Sequence, residues 1–217
     1  MIMNKELIKR KGPLAENEVK DLLKSFGVKT TKYKLVKKLE DLEKLNLKFP
    51  VALKVCSNKI LHKTDIGGVK LDIKNLEDLR KDFKEFREKF PKENILVDQM
   101  AEKGVEIIIG LLKDPTFGLS IMFGIGGIFT ELYKDVTFRV VPIVRYDAEQ
   151  MIEEIKGKKL LEGFRNIHAN KKLVIDLIMK VSKIGKEFMS HIDQMDLNPI
   201  FVYADDYCVV DAKLILK

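Results

Sequence analysis

Residues 51–56 read VALKVC, a short apolar run with one charge, Lys54, at its centre. An ammonium inside an apolar strand is costly unless it meets an anion. Past Cys56 the pattern breaks into a polar loop, SNKILHKTD, carrying His62 and Lys63, followed by Gly67 and Gly68 and a second strand, VKLDI. Strand, basic loop, paired glycines and strand read as a lid hairpin over a phosphate-bearing group. Glycines let backbone N–H groups approach oxygens closely, and lysine supplies a point charge. An ordinary hairpin with a snorkelling lysine is the competing reading of these residues.

Composition narrows the setting. The 217 residues, 46% hydrophobic and 34% charged, suffice for one substantial core or two small lobes. No apolar run reaches the length of a membrane span. The opening MIMNKELIKRKG lacks the apolar stretch of a secretory signal. Cys56 and Cys208 lie far apart with no CxxC spacing, so a reduced, cytoplasmic protein without a zinc site is expected. His62, His168 and His191 sit in unrelated contexts and form no metal motif. The net charge of +7 suits an anionic substrate. Basic residues are interleaved with acids, and no nucleic-acid-binding motif stands out.

Along the chain, Leu14 to Phe26 has the spacing of an amphipathic helix ended by Gly27. A strand is expected over 28–36 and a short helix over 39–47. After the lysine hairpin, Asn75 caps a predicted helix running to about Lys89, and ILVDQM (95–100) reads as a strand. AEKG (101–104) is a polar hinge. Strands follow at 105–112, 118–123 and 136–141, the last carrying Arg139, with Gly124, Gly126, Gly127, Thr130, Glu131 and Asp135 between the last two. Helices are expected over 147–155 and 173–189, and closing strands at 195–202 and 208–216. Strands and helices mix without regular β-α-β alternation, which predicts an α+β fold of two lobes, residues 1–100 and 101–217.

Polar residues stand out on several of these elements. Asp196 and Asn198 are two apart on one predicted strand and share a face, and Asp211 reaches it from the next strand. Two carboxylates and an amide are oxygen donors that suit Mg²⁺ bound to nucleotide phosphates. A turn-stabilising Asn-Pro with solvated acids is the plainer reading. Asp98 to Ala101 with Glu106, and the glycine run ending at Arg139, are the other groups.

In the order they occur, FPVALKVCSNKILHKTDIGGVKL, VDQMAEKGVEIIIGLLKDPTFGLSIMFGIGGIFTELYKDVTFRVVPI and DLNPIFVY…CVVDAKLIL make the chain resemble an ATP-grasp domain. More narrowly, it resembles the β subunit of ADP-forming acetyl-CoA (acyl-CoA) synthetases, relatives of the succinyl-CoA synthetase β subunit. The resemblance covers the chain from Leu14 and implies two α+β lobes with ATP or ADP and Mg²⁺ bound between them. It implies phosphate binding by Lys54 and by the loop of His62, Gly67 and Gly68. It puts the adenine hinge at Asp98, Gln99, Met100 and Ala101, turns Glu106 toward the ribose, and assigns Asp196, Asn198 and Asp211 to the metal. His62 stands where ADP-forming synthetases place a second phosphohistidine, with Lys63 and Arg139 as candidate catalytic cations. The implied reaction is acyl-CoA + ADP + phosphate ⇌ acid + ATP + CoA. CoA binding and acyl transfer would belong to a larger α subunit, in an α₂β₂ complex.

LHKTD replaces the glycine- and arginine-rich loop of succinyl-CoA synthetases, which favours the ADP-forming acyl-CoA branch. A succinyl-CoA synthetase β-type subunit, an ATP-grasp segment of a protein acyltransferase, and a nucleotide-binding regulatory or nucleic-acid-binding module are the alternatives.

Overall fold

The computed structural model describes residues 7, 9–60, 62–127, 134–163 and 169–217. Thr130, Glu131 and His168 lie outside them. Two antiparallel sheets organise the chain. The smaller runs β2-β5-β3-β4, built from β2 (Tyr33–Val36), β3 (Val51–Cys56), β4 (Val69–Ile73) and β5 (Asn94–Gln99). The larger runs β1-β11-β9-β6-β7-β8. Its strands are β1 (Gly12–Pro13), β6 (Val105–Asp114), β7 (Gly118–Ile125), β8 (Val136–Val140), β9 (Ile192–Val202) and β11 (Ala212–Leu216), with β10 (Tyr207–Val209) also paired to β9. The α+β, two-lobed reading of the sequence matches this architecture.

Each sheet buries one face under helices. In the smaller lobe, Val51, Leu53, Val55, Ile95 and Val97 pack against Leu79, Phe83 and Phe86 of a helix over Leu76–Lys89. The Asn75 side chain caps it, accepting from the Asp78 N–H at 2.9 Å. In the larger lobe, three helices cover one sheet face: α1 (Glu16–Ser25) near the start of the chain, and those over Arg145–Glu154 and Lys171–Glu187. The apolar stripe of the last, including Leu177, Ile178, Val181 and Ile184, follows the predicted period. No helix among the described residues is long and apolar enough to cross a membrane.

The division of lobes differs from the expected one at its start. Leu14, Val19, Leu22, Leu23 and Val28 belong to the core of the larger lobe, and β1 pairs with β11. Residues 12–28 therefore pack with the second half of the chain. Amphipathic spacing requires a partner surface without saying which one. Locally, the helix expected over 39–47 is a 3₁₀ turn, Leu39–Lys44. The strand expected over 28–36 shortens to Tyr33–Val36, with Thr30 bridging separately to Val209.

The strand expected over 208–216 splits into β10 and β11. The cause is Pro199, which has no N–H to donate to the ladder. Opposite it, β9 shifts register against β6 between Ile107 and Ile109. Met195 and Leu197 face the core before the shift, and Ile200 and Val202 after it. Val210 and Asp211 stand out of the ladder at this break, with the Val210 N–H donating to Pro199 O at 3.0 Å.

Candidate functional site

The sheet face of the larger lobe opposite the helices meets the smaller sheet across a cavity of about 380 Å³. Its apolar lining includes Ala52, Val69 and Leu71 from the smaller lobe, Pro199 and Phe201 from β9, and Met100 and Ala101 from the connection between lobes. Its charged lining includes Lys54, His62, Lys63, Asp65, Asp98, Lys103, Asp211 and Lys213. The connection is anchored by backbone bonds from Gln99 N to Lys32 O at 2.8 Å and from Met100 N to Pro50 O at 3.1 Å. The Gln99 side chain is turned aside to accept from the Lys48 N–H at 3.1 Å.

Strand alternation explains the lysine in the apolar run. Val51, Leu53 and Val55 point into the core of the smaller lobe, so Ala52 and Lys54 point into the cavity. Asp98 lies opposite Ala52 on β5. Lys54 Nζ donates to Asp98 Oδ2 and to Glu16 Oε1, both at 2.8 Å. Lys20 Nζ donates to the same Asp98 oxygen at 2.7 Å and to Thr31 Oγ1 at 2.8 Å, and lies 2.9 Å from Glu16 Oε1. Lys63 Nζ bonds Glu16 Oε2, and Asp211 Oδ1 at 3.1 Å. Three ammonium groups thus share three carboxylates beside the cavity.

This pairing sets the ionisation of the cluster. Burial on its own would raise the Glu16 carboxyl, but Lys54, Lys20 and Lys63 outweigh it and hold the group well below the usual carboxylate range. Burial would lower the Lys54 ammonium; Glu16 and Asp98 reverse that and raise it above an ordinary lysine. Lys63 is raised too: Glu16 and Asp211 overcome its desolvation. Among the described residues, Asp98 Oδ1 is buried with no hydrogen-bond partner, leaving an acceptor beside the cavity.

The remaining predicted residues divide. His62 is exposed at the cavity rim and makes no hydrogen bond to a described residue. Gly67 and Gly68 shape its loop rather than line the cavity: their N–H groups donate to Thr64 O at 3.0 Å and Lys63 O at 2.7 Å. Gly67 has φ 63°, and a Cβ on Gly68 would stand 2.9 Å from Lys63 O. Glu106 lies opposite Phe201 on the cavity-side face, its side chain beside Gly126, where a Cβ would fall 2.6 Å from Glu106 Cγ. Close approach to Glu106 thus accounts for Gly126 in the glycine run.

Arg139 is not brought to the site. It lies opposite the buried Ile121 on β8 and pairs with Glu154 at 2.5 Å, on the helix-covered face. Its guanidinium pKa is raised by that bond. β-strand parity decides the face, and the sequence of one strand does not say which face is covered.

Asp196, Asn198 and Asp211 meet around the break in β9. The exposed Asn198 donates its N–H to Asp211 O at 3.2 Å. Burial raises the Asp196 carboxyl; Lys213 opposes the rise and nearby Asp211 adds to it. Among the described residues no group of three or more His, Cys, Asp and Glu is arranged as a metal site. Asp196 and Asp211, with Asn198, are oxygen donors of the kind a hard divalent cation takes.

Glu16, Lys20 and Lys213 escaped the sequence reading. Glu16 and Lys20 did leave a signal: they are four apart and fall on the stripe of Val19 and Leu23, where solvated charges do not belong.

Comparison with known proteins adds the following. Residues 6–216 match a family described as ATP-grasp domain. Subunit beta of acetate–CoA ligase [ADP-forming] II from Pyrococcus furiosus is 41% identical over 228 residues, covering 100% of this chain and 97% of that one. Acetate–CoA ligase [ADP-forming] II from Archaeoglobus fulgidus is 39% identical over 94% of this chain, which spans only 30% of that longer polypeptide. A solved structure of dinucleotide-forming acetyl-coenzyme A synthetase 1 from Ca. Korarchaeum cryptofilum superposes with a TM-score of 0.83 at 40% identity, covering 100% of this chain and 98% of the matched one. That protein carries coenzyme A and Mg-AMPPCP, its phosphohistidine segment pointing towards the nucleotide-binding site.

Proposed function

Because the chain belongs to the ATP-grasp domain family, we propose that it is the nucleotide-binding subunit of an ADP-forming acyl-CoA synthetase. It catalyses its part of acyl-CoA + ADP + phosphate ⇌ acid + ATP + CoA. The observation that carries this reading is the pair of buried lysines, Lys54 and Lys63, in the lining of a cavity between two lobes. In this reading the base lies against Val69, Leu71 and Phe201, with the backbone of 99–101 at its edge, and Glu106 lies toward the ribose. Lys54 and Lys63 hold the phosphates, with Gly67 and Gly68 shaping the loop above them. Asp211, Asp196 and Asn198 hold Mg²⁺, which neutralises phosphate charge and orients the transferring group. Residues 101–104 act as the hinge between lobes.

His62 is the relay. Its imidazole nitrogen forms a P–N bond to a phosphoryl group as the donor's bond to phosphorus breaks. That P–N bond then breaks as an oxygen of the ADP β-phosphate bonds to phosphorus. Lys63, next in the chain, balances charge on the group in transit. A larger α subunit supplies CoA binding and acyl transfer, in an α₂β₂ complex working in the cytoplasm. The longer relative, of which this chain spans 30%, supports a partner of that size.

The test uses the chain together with its purified α partner. Labelled ATP and an alkaline quench should leave acid-labile phosphate on this chain. His62→Ala should abolish the label and ATP formation while ADP affinity stays within about twofold. Retention of most turnover by His62→Ala would reduce the histidine to a phosphate contact.

A further inference from the structure

Glu16 stands behind both phosphate-end lysines without lining the cavity. It lies on the first turn of α1, whose apolar face belongs to the larger lobe. Its carboxylate nevertheless reaches the smaller one. Oε1 accepts from Lys54 Nζ on β3, and Oε2 from Lys63 Nζ on the loop after it. Only 5% of the residue is exposed.

We propose that Glu16 is a positioning residue for phosphate binding: one carboxylate, shared by two lysines, holds both ammonium groups side by side in the cavity lining. The inference rests on the nucleotide reading above and deepens it. Like charges repel, and no other described side chain bonds both Lys54 and Lys63. Without Glu16, Lys54 keeps Asp98 and Lys63 keeps only Asp211, which draws its ammonium toward the last hairpin of the larger lobe. Phosphate oxygens then meet one placed lysine instead of two. Lys20, bonded to Asp98 and Thr31, fixes Glu16 from behind.

If Glu16 merely neutralised the lysines, removing it would make the site more positive and tighten ADP binding. If it only braced the fold, its loss would weaken every ligand alike. The experiment titrates the intact chain and Glu16→Gln with Mg·ADP by calorimetry and with adenosine by ligand-observed NMR. Positioning predicts that ADP affinity falls by about tenfold or more while adenosine affinity stays within about twofold. Tighter or unchanged ADP binding, or a parallel loss of both ligands, overturns it. Should Glu16→Gln fail to fold, Glu16→Asp keeps the charge but is one methylene too short to span both lysines. It should show the same selective loss, and unchanged ADP affinity would defeat the inference. Failure of the unsubstituted chain to bind ADP would instead defeat the nucleotide reading itself.

Discussion

Lys54, 5% exposed in the middle of β3, is tolerable only because Glu16 and Asp98 each stand 2.8 Å from its nitrogen. Breaking one side of a buried ion cluster costs more than the cluster contributes, because the abandoned charges stay buried. Lys54→Met should therefore lower unfolding free energy by about 3 kcal/mol as well as abolish ADP binding. The variant also bears on acid stability. A carboxyl depressed in the folded state contributes stability that is present above its unfolded pKa, about 4.3, and lost as pH falls through the lower folded value. Glu16 is such a group, and Lys54 is its largest favourable charge. Urea unfolding from pH 7 to pH 2 should show an acid loss that is smaller and complete at higher pH in Lys54→Met than in the parent; coincident profiles would contradict this. The demand for an anion at Lys54 was legible in VALKVC. That the anions would be internal was not, because Glu16 lies 38 residues away in sequence.

At the scale of elements, the loop between β3 and β4 is held by its own backbone. The Gly68 N–H donates to Lys63 O, and Gly68 O accepts from the Val55 N–H at 2.8 Å. The glycines were legible as a pair with a role, but close backbone approach within the loop consumes the N–H groups that phosphate would have used. A methyl group at Gly68 would crowd Lys63 O and Val55. Gly68→Ala should displace Lys63 and weaken ADP about tenfold by calorimetry, with the two cores intact by near-UV circular dichroism. An unchanged affinity would mean that the loop backbone does not place Lys63. Helix periods and the Asn75 cap were readable because local spacing decides them. The β9 break was not read, since the strand expected over 195–202 runs through Pro199, and which face Asp196 and Phe201 would take depends on pairing with β6. Arg139 failed for the same reason, since parity puts it under the helix over Arg145–Glu154.

Across the whole molecule, α1 ties the lobes together. It packs in the core of the larger lobe while Glu16 and Lys20 pair with Lys54 and Asp98 of the smaller one. Sequence order alone put this helix in the first lobe, because contacts between residues so distant leave no local period. The two-lobed α+β architecture was readable from element order together with the resemblance of the motifs. The cavity follows from that architecture: two sheets meet across a slot whose lining mixes apolar side chains with charged ones. That this slot takes a nucleotide with its phosphates toward the lysine pair is tested by a crystal structure of the chain grown with Mg·ADP. The base is expected between Leu71 and Phe201, with the β-phosphate within hydrogen-bond distance of Lys54 and Lys63. A nucleotide bound elsewhere, or lying in the slot with its phosphates turned away from both lysines, would contradict it.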